Sequence, residues 1–183
     1  MSDGRPWYKE PETFIALTAL VVSVSAVVVG IYEASLQRAH DRAEVWPHLE
    51  LATLTTSNGA SLSVTNSGIG PAIIKSVVVT VDGTPRRNWA DALQALEGKP
   101  VTNFTVATIV DRGVRAGDKV EMIMLSPDKM PADFWSSIAR VGITVCYASV
   151  FDEYWQLSDP RLGKPGAWRS VTRCPPQSAG TEF

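Results

Sequence analysis

Hydrophobic and polar positions divide this chain into two regimes. From Thr13 to Tyr32, TFIALTALVVSVSAVVVGIY, twenty consecutive residues carry no charge, the length an α-helix needs to cross the hydrocarbon of a bilayer. A cleavable signal peptide would end its apolar stretch near Ser23-Val24-Ser25. Here AVVVGIY runs on past that point, and the preceding tail sets three acids against Arg5 and Lys9, so the segment predicts an uncleaved anchor. Small residues recur within it as Ala16, Ala19, Ser23, Ala26 and Gly30. Steps of three and four put all five on one helix face, the spacing that lets two helices approach closely in lipid. Helix-compatible residues continue from Glu33 until Trp46-Pro47, where proline disfavours helical geometry in the residue before it. The expected layout is a tail over 1–12, a transmembrane helix over 13–32 and a helical stalk over 33–46.

Beyond Pro47 the period changes to two. HLELATL, ASLSVTN, KSVVVTVDG, TNFTVATIV, DKVEMIML, VGITVCYASVF, EYWQLS and WRSVTRC read as half-buried or buried strands bounded by turn residues. Val77, Val79 and Val81 share one face, with Ser76, Val78 and Thr80 on the other. Seven or eight short strands predict a mainly β fold, an antiparallel sandwich over 47–175. Two short helices interrupt it. Asn88 is set to cap WADALQALEG, whose apolar face is Trp89, Ala92, Leu93 and Leu96 and which Gly98 and Pro100 close. A second helix, within Pro131 to Arg140, carries Phe134, Trp135 and Ile138 and is expected to cover an open end of the core. Residues 176–183 show no periodicity and are expected to be a disordered tail.

Composition narrows the function classes. The formal net charge is -2, and Arg86-Arg87 is the only adjacent basic pair, so the basic patch that nucleic-acid binding requires is missing. The two cysteines, Cys146 and Cys174, can close one disulfide in an oxidising compartment or stand as buried thiols in a reducing one. Positive charges flanking the anchor tie, Arg5 and Lys9 against Arg38 and Arg42, and leave orientation open. The cysteine pair favours a domain outside the cytoplasmic membrane.

Candidate chemistry is sparse. Asn66-Ser67-Gly68-Ile69-Gly70-Pro71-Ala72 follows a strand and has the look of a phosphate loop. That loop needs a helix N-terminus directly after its glycines, whereas Ile73 to Val77 continues as β structure. Asn66 and Gly68 suit a corner between strands, where positive φ or a side-chain-capped turn is tolerated, and Gly70 can start a bulge. No nucleotide, metal or other cofactor is therefore expected. His40 and His48 stand apart without metal-ligand spacing. Asp152 and Glu153, in VFDEYW, mark a tight hairpin whose adjacent side chains point to opposite faces. Phe151, Tyr154, Trp155 and Trp168 either line a shallow partner surface with them or fill the core next to Cys146.

SVTNSGIGPA, SVVVTVDG and RAGDKVEMIM resemble the strand and turn signatures of bacterial immunoglobulin-like surface domains. With WPHLEL and CYASVFDEYW behind an N-terminal anchor, residues 46 to 158 resemble uncharacterised bacterial membrane-anchored proteins. The resemblance implies an Ig-like sandwich and a bacterial cytoplasmic-membrane location, and it implies no activity. The two helical insertions depart from a plain Ig-like domain. The expected function is a membrane-anchored, non-enzymatic binding module that meets a protein partner or associates with itself through the membrane helix: an envelope-complex subunit, a sensor or an immunity factor. The competing expectation is a membrane-anchored hydrolase using acids near Asp152.

Overall fold

Residues 11 to 131, 133 to 162 and 166 to 183 are described by a computed structural model; apart from Pro11 and Glu12, the expected tail over 1–12 lies outside them. The chain forms two units, one through Ala43 and one from Glu44. The first is built on a single helix, α1 (Pro11–Glu44), about 51 Å long at 1.5 Å per residue. Over Pro11–Arg38 it is long and apolar enough to cross a membrane, and none of that stretch is buried. Three of its hydroxyls are satisfied internally: Thr18 donates to the Ile15 carbonyl (2.8 Å), Ser23 to Ala19 (2.7 Å) and Ser25 to Val21 (2.8 Å). These bonds remove the cost of carrying a polar group in an apolar medium. The segments expected to be anchor and stalk are one continuous helix.

The second unit is mainly β, with two antiparallel sheets around a shared core. The smaller sheet orders β1 (Leu49–Thr56), β2 (Gly59–Asn66), β7 (Lys119–Leu125) and β5 (Phe104–Val106) as β1-β2-β7-β5. The larger orders β10 (Ala167–Val171), β9 (Tyr154–Asp159), β8 (Val141–Ala148), β3 (Ala72–Val81) and β4 (Thr84–Pro85) as β10-β9-β8-β3-β4, with β6 (Gly113–Val114) also on β3. Alternation places Val77, Val79 and Val81 opposite Val145, Ile143 and Val141, all buried and facing Leu62, Val64 and Met122 of the smaller sheet's core positions. The expected long strand TNFTVATIV shrinks to three paired residues. The Ala107 amide still donates to Met122 (3.2 Å); beyond it the chain leaves the ladder, and the Ile109 amide bonds to the Phe183 carbonyl instead.

Helix α2 (Trp89–Glu97) starts as its residues dictate. The Asn88 side chain accepts from the Asp91 amide (2.9 Å), and Gly98 closes the helix in the left-handed conformation at φ 70°, a geometry that glycine adopts without steric cost. Its buried residues Trp89, Ala92 and Leu93 meet Phe134 of the short α3 (Phe134–Ile138) across an apolar cavity of about 50 Å³. Together they cover one end of the core.

The Asn66-to-Ala72 corner is held by one side chain. Asn66 is fully buried. Its Oδ1 accepts from the amides of His48 (3.2 Å) and Gly68 (3.0 Å), and its Nδ2 donates to the carbonyls of Gly70 (2.8 Å) and Val114 (2.9 Å). That uses all the hydrogen-bonding capacity of a primary amide. Of the two expected devices, positive φ or a side-chain-capped turn, the corner uses the second; neither Gly68 nor Gly70 adopts positive φ, and both serve close approach. A Cβ on Gly68 would lie 2.3 Å from the His48 nitrogen, and one on Gly70 would lie 1.8 Å from the Val45 carbonyl oxygen. The bulge falls farther on, between Ile74 and Ser76, not at Gly70.

Residues 176–183 form an ordered strap, which corrects the expected disordered tail. Between β6 and β4 the outer edge of β3 is open, and Gln177 Oε1 accepts the Val77 amide there (2.8 Å). Farther along, the Glu182 amide donates to the Arg87 carbonyl (2.8 Å), and Phe183 is buried, its ring edge-on to Trp89 at 5.4 Å. The physical reason is local to β3: an edge amide in a buried setting must find an acceptor, and the strap supplies one while adding an aromatic ring to the core. Urea denaturation of the full chain in detergent checks both contacts. Asn66→Ala, which orphans two buried and two part-buried backbone groups, is expected to lose about 3 kcal/mol. Phe183→Ala is expected to lose about 3 kcal/mol through the cavity it leaves, whereas a disordered tail would lose nothing.

Candidate recognition surface

The β8–β9 hairpin is as tight as its sequence predicts. The Ser149 amide donates to the Glu153 carbonyl (2.9 Å), the Asp152 amide to Ser149 (3.3 Å), and the Phe151 amide to the Ser149 hydroxyl oxygen (3.1 Å). Asp152 takes the left-handed conformation at φ 57°, which aspartate tolerates better than most residues. Asp152 is exposed and Glu153 half-buried. The one buried acid among the described residues, Asp159, sits at the far end of β9. Burial raises its carboxyl above the usual range, and a hydrogen bond from the Arg161 amide pulls it back. Among the described residues there is no group of three or more His, Cys, Asp or Glu side chains placed to hold a metal.

The six residues expected to form one partner surface are dispersed. Phe151 and Asp152 are at the hairpin tip. Trp155 turns inward, its ring stacked on the buried Tyr147 at 6.0 Å, and burial raises the Tyr147 phenol above its ordinary value. Trp168, opposite Leu157 in the β10–β9 register, spans the gap between the sheets. Its Nε1 donates to the Leu49 carbonyl of β1 (2.7 Å). His48 stacks on Trp168 at 4.7 Å, and Trp46 tilts against His48 at 5.0 Å. This aromatic column closes the seam between two sheet edges, so Trp168 has a structural partner. The five small residues of α1 (Ala16, Ala19, Ser23, Ala26 and Gly30) are all exposed, and a Cβ at Gly30 would meet nothing within 4 Å.

Tyr154 alone points to the outer face of the larger sheet. There it shares an open depression with Lys75, Arg173, Cys174, Pro175 and Pro176. Cys146 and Cys174 are joined by a disulfide with a Cα–Cα distance of 5.6 Å, and both are buried. No family model, curated protein or solved structure matches this chain, so the depression is read from its own residues. Sequence reasoning passed over Lys75 and Arg173 because neither lies in a motif. The signals that could have found them are the cysteine next to Arg173 and a bulge, which no local pattern announces.

Separating seam from surface is a stability measurement. Trp168→Phe keeps the ring but leaves the buried Leu49 carbonyl without its donor, an expected loss of about 1 kcal/mol. Asp152→Asn at the exposed tip should stay within about 0.5 kcal/mol. Equal losses in urea denaturation would contradict the division.

Proposed function

We propose that this protein is a membrane-anchored recognition module, with α1 as a single-pass anchor and an Ig-like β-sandwich, interrupted by α2 and α3, held on the extracytoplasmic side of a bacterial cytoplasmic membrane. The observation that carries the reading is the pairing of an exposed apolar helix with a disulfide in the β unit. Helices of that length and polarity are stable in lipid, and structural disulfides persist in oxidising compartments. A bond closing a loop across 28 positions stabilises a domain by about 3–4 kcal/mol on the chain-entropy model. Catalysis is not assigned: Asp152 and Glu153 sit at the β8–β9 turn, Asp152 exposed and Glu153 half-buried. The small-residue face from Ala16 to Gly30 is the surface on which a second copy of the helix packs.

Thiol labelling in intact cells tests the compartment. A membrane-impermeant maleimide is expected to label Cys146 and Cys174 only after reduction. Ready labelling without reductant, by a permeant reagent alone, overturns the extracytoplasmic reading. Self-association is read separately by crosslinking in membranes: Gly30→Leu fills the small-residue face and should lower the dimer fraction several-fold. An unchanged dimer fraction removes that face from the proposal.

A further inference from the structure

Lys75 is the extra residue of a β-bulge. Ile74 opposes Tyr147 and Ser76 opposes Cys146, so three residues of β3 face two of β8, and Lys75 loses its place in the ladder. Bulges of this kind re-aim a side chain. Here Lys75 lines the outer-face depression, of about 540 Å³, together with Tyr154 and the Arg173–Pro176 segment. The disulfide at Cys174 ties that segment to Cys146 of β8, and the two prolines restrict its backbone. No carboxylate lines the depression. Among the described residues, neither Lys75 nor Arg173 has an ion pair or a side-chain hydrogen bond. Two cations from distant parts of the chain are thus brought to the wall of one hollow whose lining holds no carboxylate.

We propose that this hollow binds a phosphate-type oxyanion. Lysine supplies a mobile point charge, arginine a planar fork that matches two oxygens of one phosphate, and the Tyr154 hydroxyl a third donor at the wall. The ligand's phosphate is either free in solution as a small phosphate ester or displayed as a lipid head group; the chemistry recognised is the same. The proposal rests on the reading of the domain as a recognition module, to which it adds a ligand chemistry.

The test uses the full chain in an uncharged maltoside detergent, titrated with inorganic phosphate at constant ionic strength and followed by amide NMR shifts. Saturable shifts are expected at Lys75, Tyr154 and Cys174, weakening as salt is raised. Lys75→Met and Arg173→Met keep the aliphatic packing, and each is expected to weaken binding about tenfold. A non-reducing gel confirms the disulfide in each variant, so a misfolded sample is recognised as such. A linear drift spread over the whole chain means an adventitious ion only and overturns the proposal, as does unchanged affinity in both variants. The two sources are then separated by comparing glycerol 3-phosphate in solution with nanodiscs of phosphatidylglycerol or phosphatidylcholine. Protection of the same amides by phosphatidylglycerol alone assigns the head group, and competition by the soluble ester alone assigns a free ligand. Failure of the titration leaves the thiol-labelling result untouched, so the two readings fail separately.

Discussion

The corner that carries the chain from one sheet to the other depends on the Asn66 side chain. A buried primary amide is expensive unless every donor and acceptor finds a partner, and Asn66 finds all four among backbone groups of separate segments: the approach to β1, the corner itself, and β6. Its own backbone extends the network, with the amide donating to the Asp118 carbonyl and the carbonyl accepting from Gly117. One residue therefore sets how the chain enters β1, how it crosses from β2 to β3, and where the β6–β7 turn sits. Gly68 and Gly70 follow from this constraint, because the backbone of residues 45 to 48 lies where their side chains would be.

A second constraint acts at the sheet edges. β3 is central in the larger sheet yet has an unpaired stretch between its two short partners, and an open edge of this kind invites pairing with other chains. Gln177 caps it from the side, and the strap that carries Gln177 ends in the core at Phe183. The opposite edge of the same sheet, β10, is joined to β1 by Trp168. Edges that look unprotected in topology are thus closed by side chains rather than by strands. The disulfide belongs to this set, since it pins the start of the strap onto the outer face of β8.

Legibility in the sequence followed the range of the interactions. The charge-free run, the alternation of β1, β2, β3, β7 and β8, the Asn88 and Gly98 caps and the Asp152 turn all rest on contacts within a few residues. Each was readable without a tertiary structure. The length of β5 was not, because a β-propensity run stays in a ladder only while a partner strand is present, and β7 pairs only Phe104 to Val106. The strap was misread for the mirror reason: PPQSAGTEF has neither period nor propensity, and its order comes from an acceptor for Val77 and a space beside Trp89. Strand alternation sends Tyr154 and Trp155 to opposite faces of the sheet, so the residues from Phe151 to Trp155 do not share one face with Trp168.

By itself the sequence determined a helix able to span a bilayer and a β unit of antiparallel strands, because hydrophobic period and run length are local quantities that burial must respect. The tertiary structure alone decided which polar groups meet: the four partners of Asn66, the Trp168 bond to Leu49, the Gln177 cap and the approach of Lys75 to Arg173. Those pairings depend on register, on one bulge and on a disulfide. A single residue's shift in any of them moves a side chain to the other face, and no pattern along the chain records that choice.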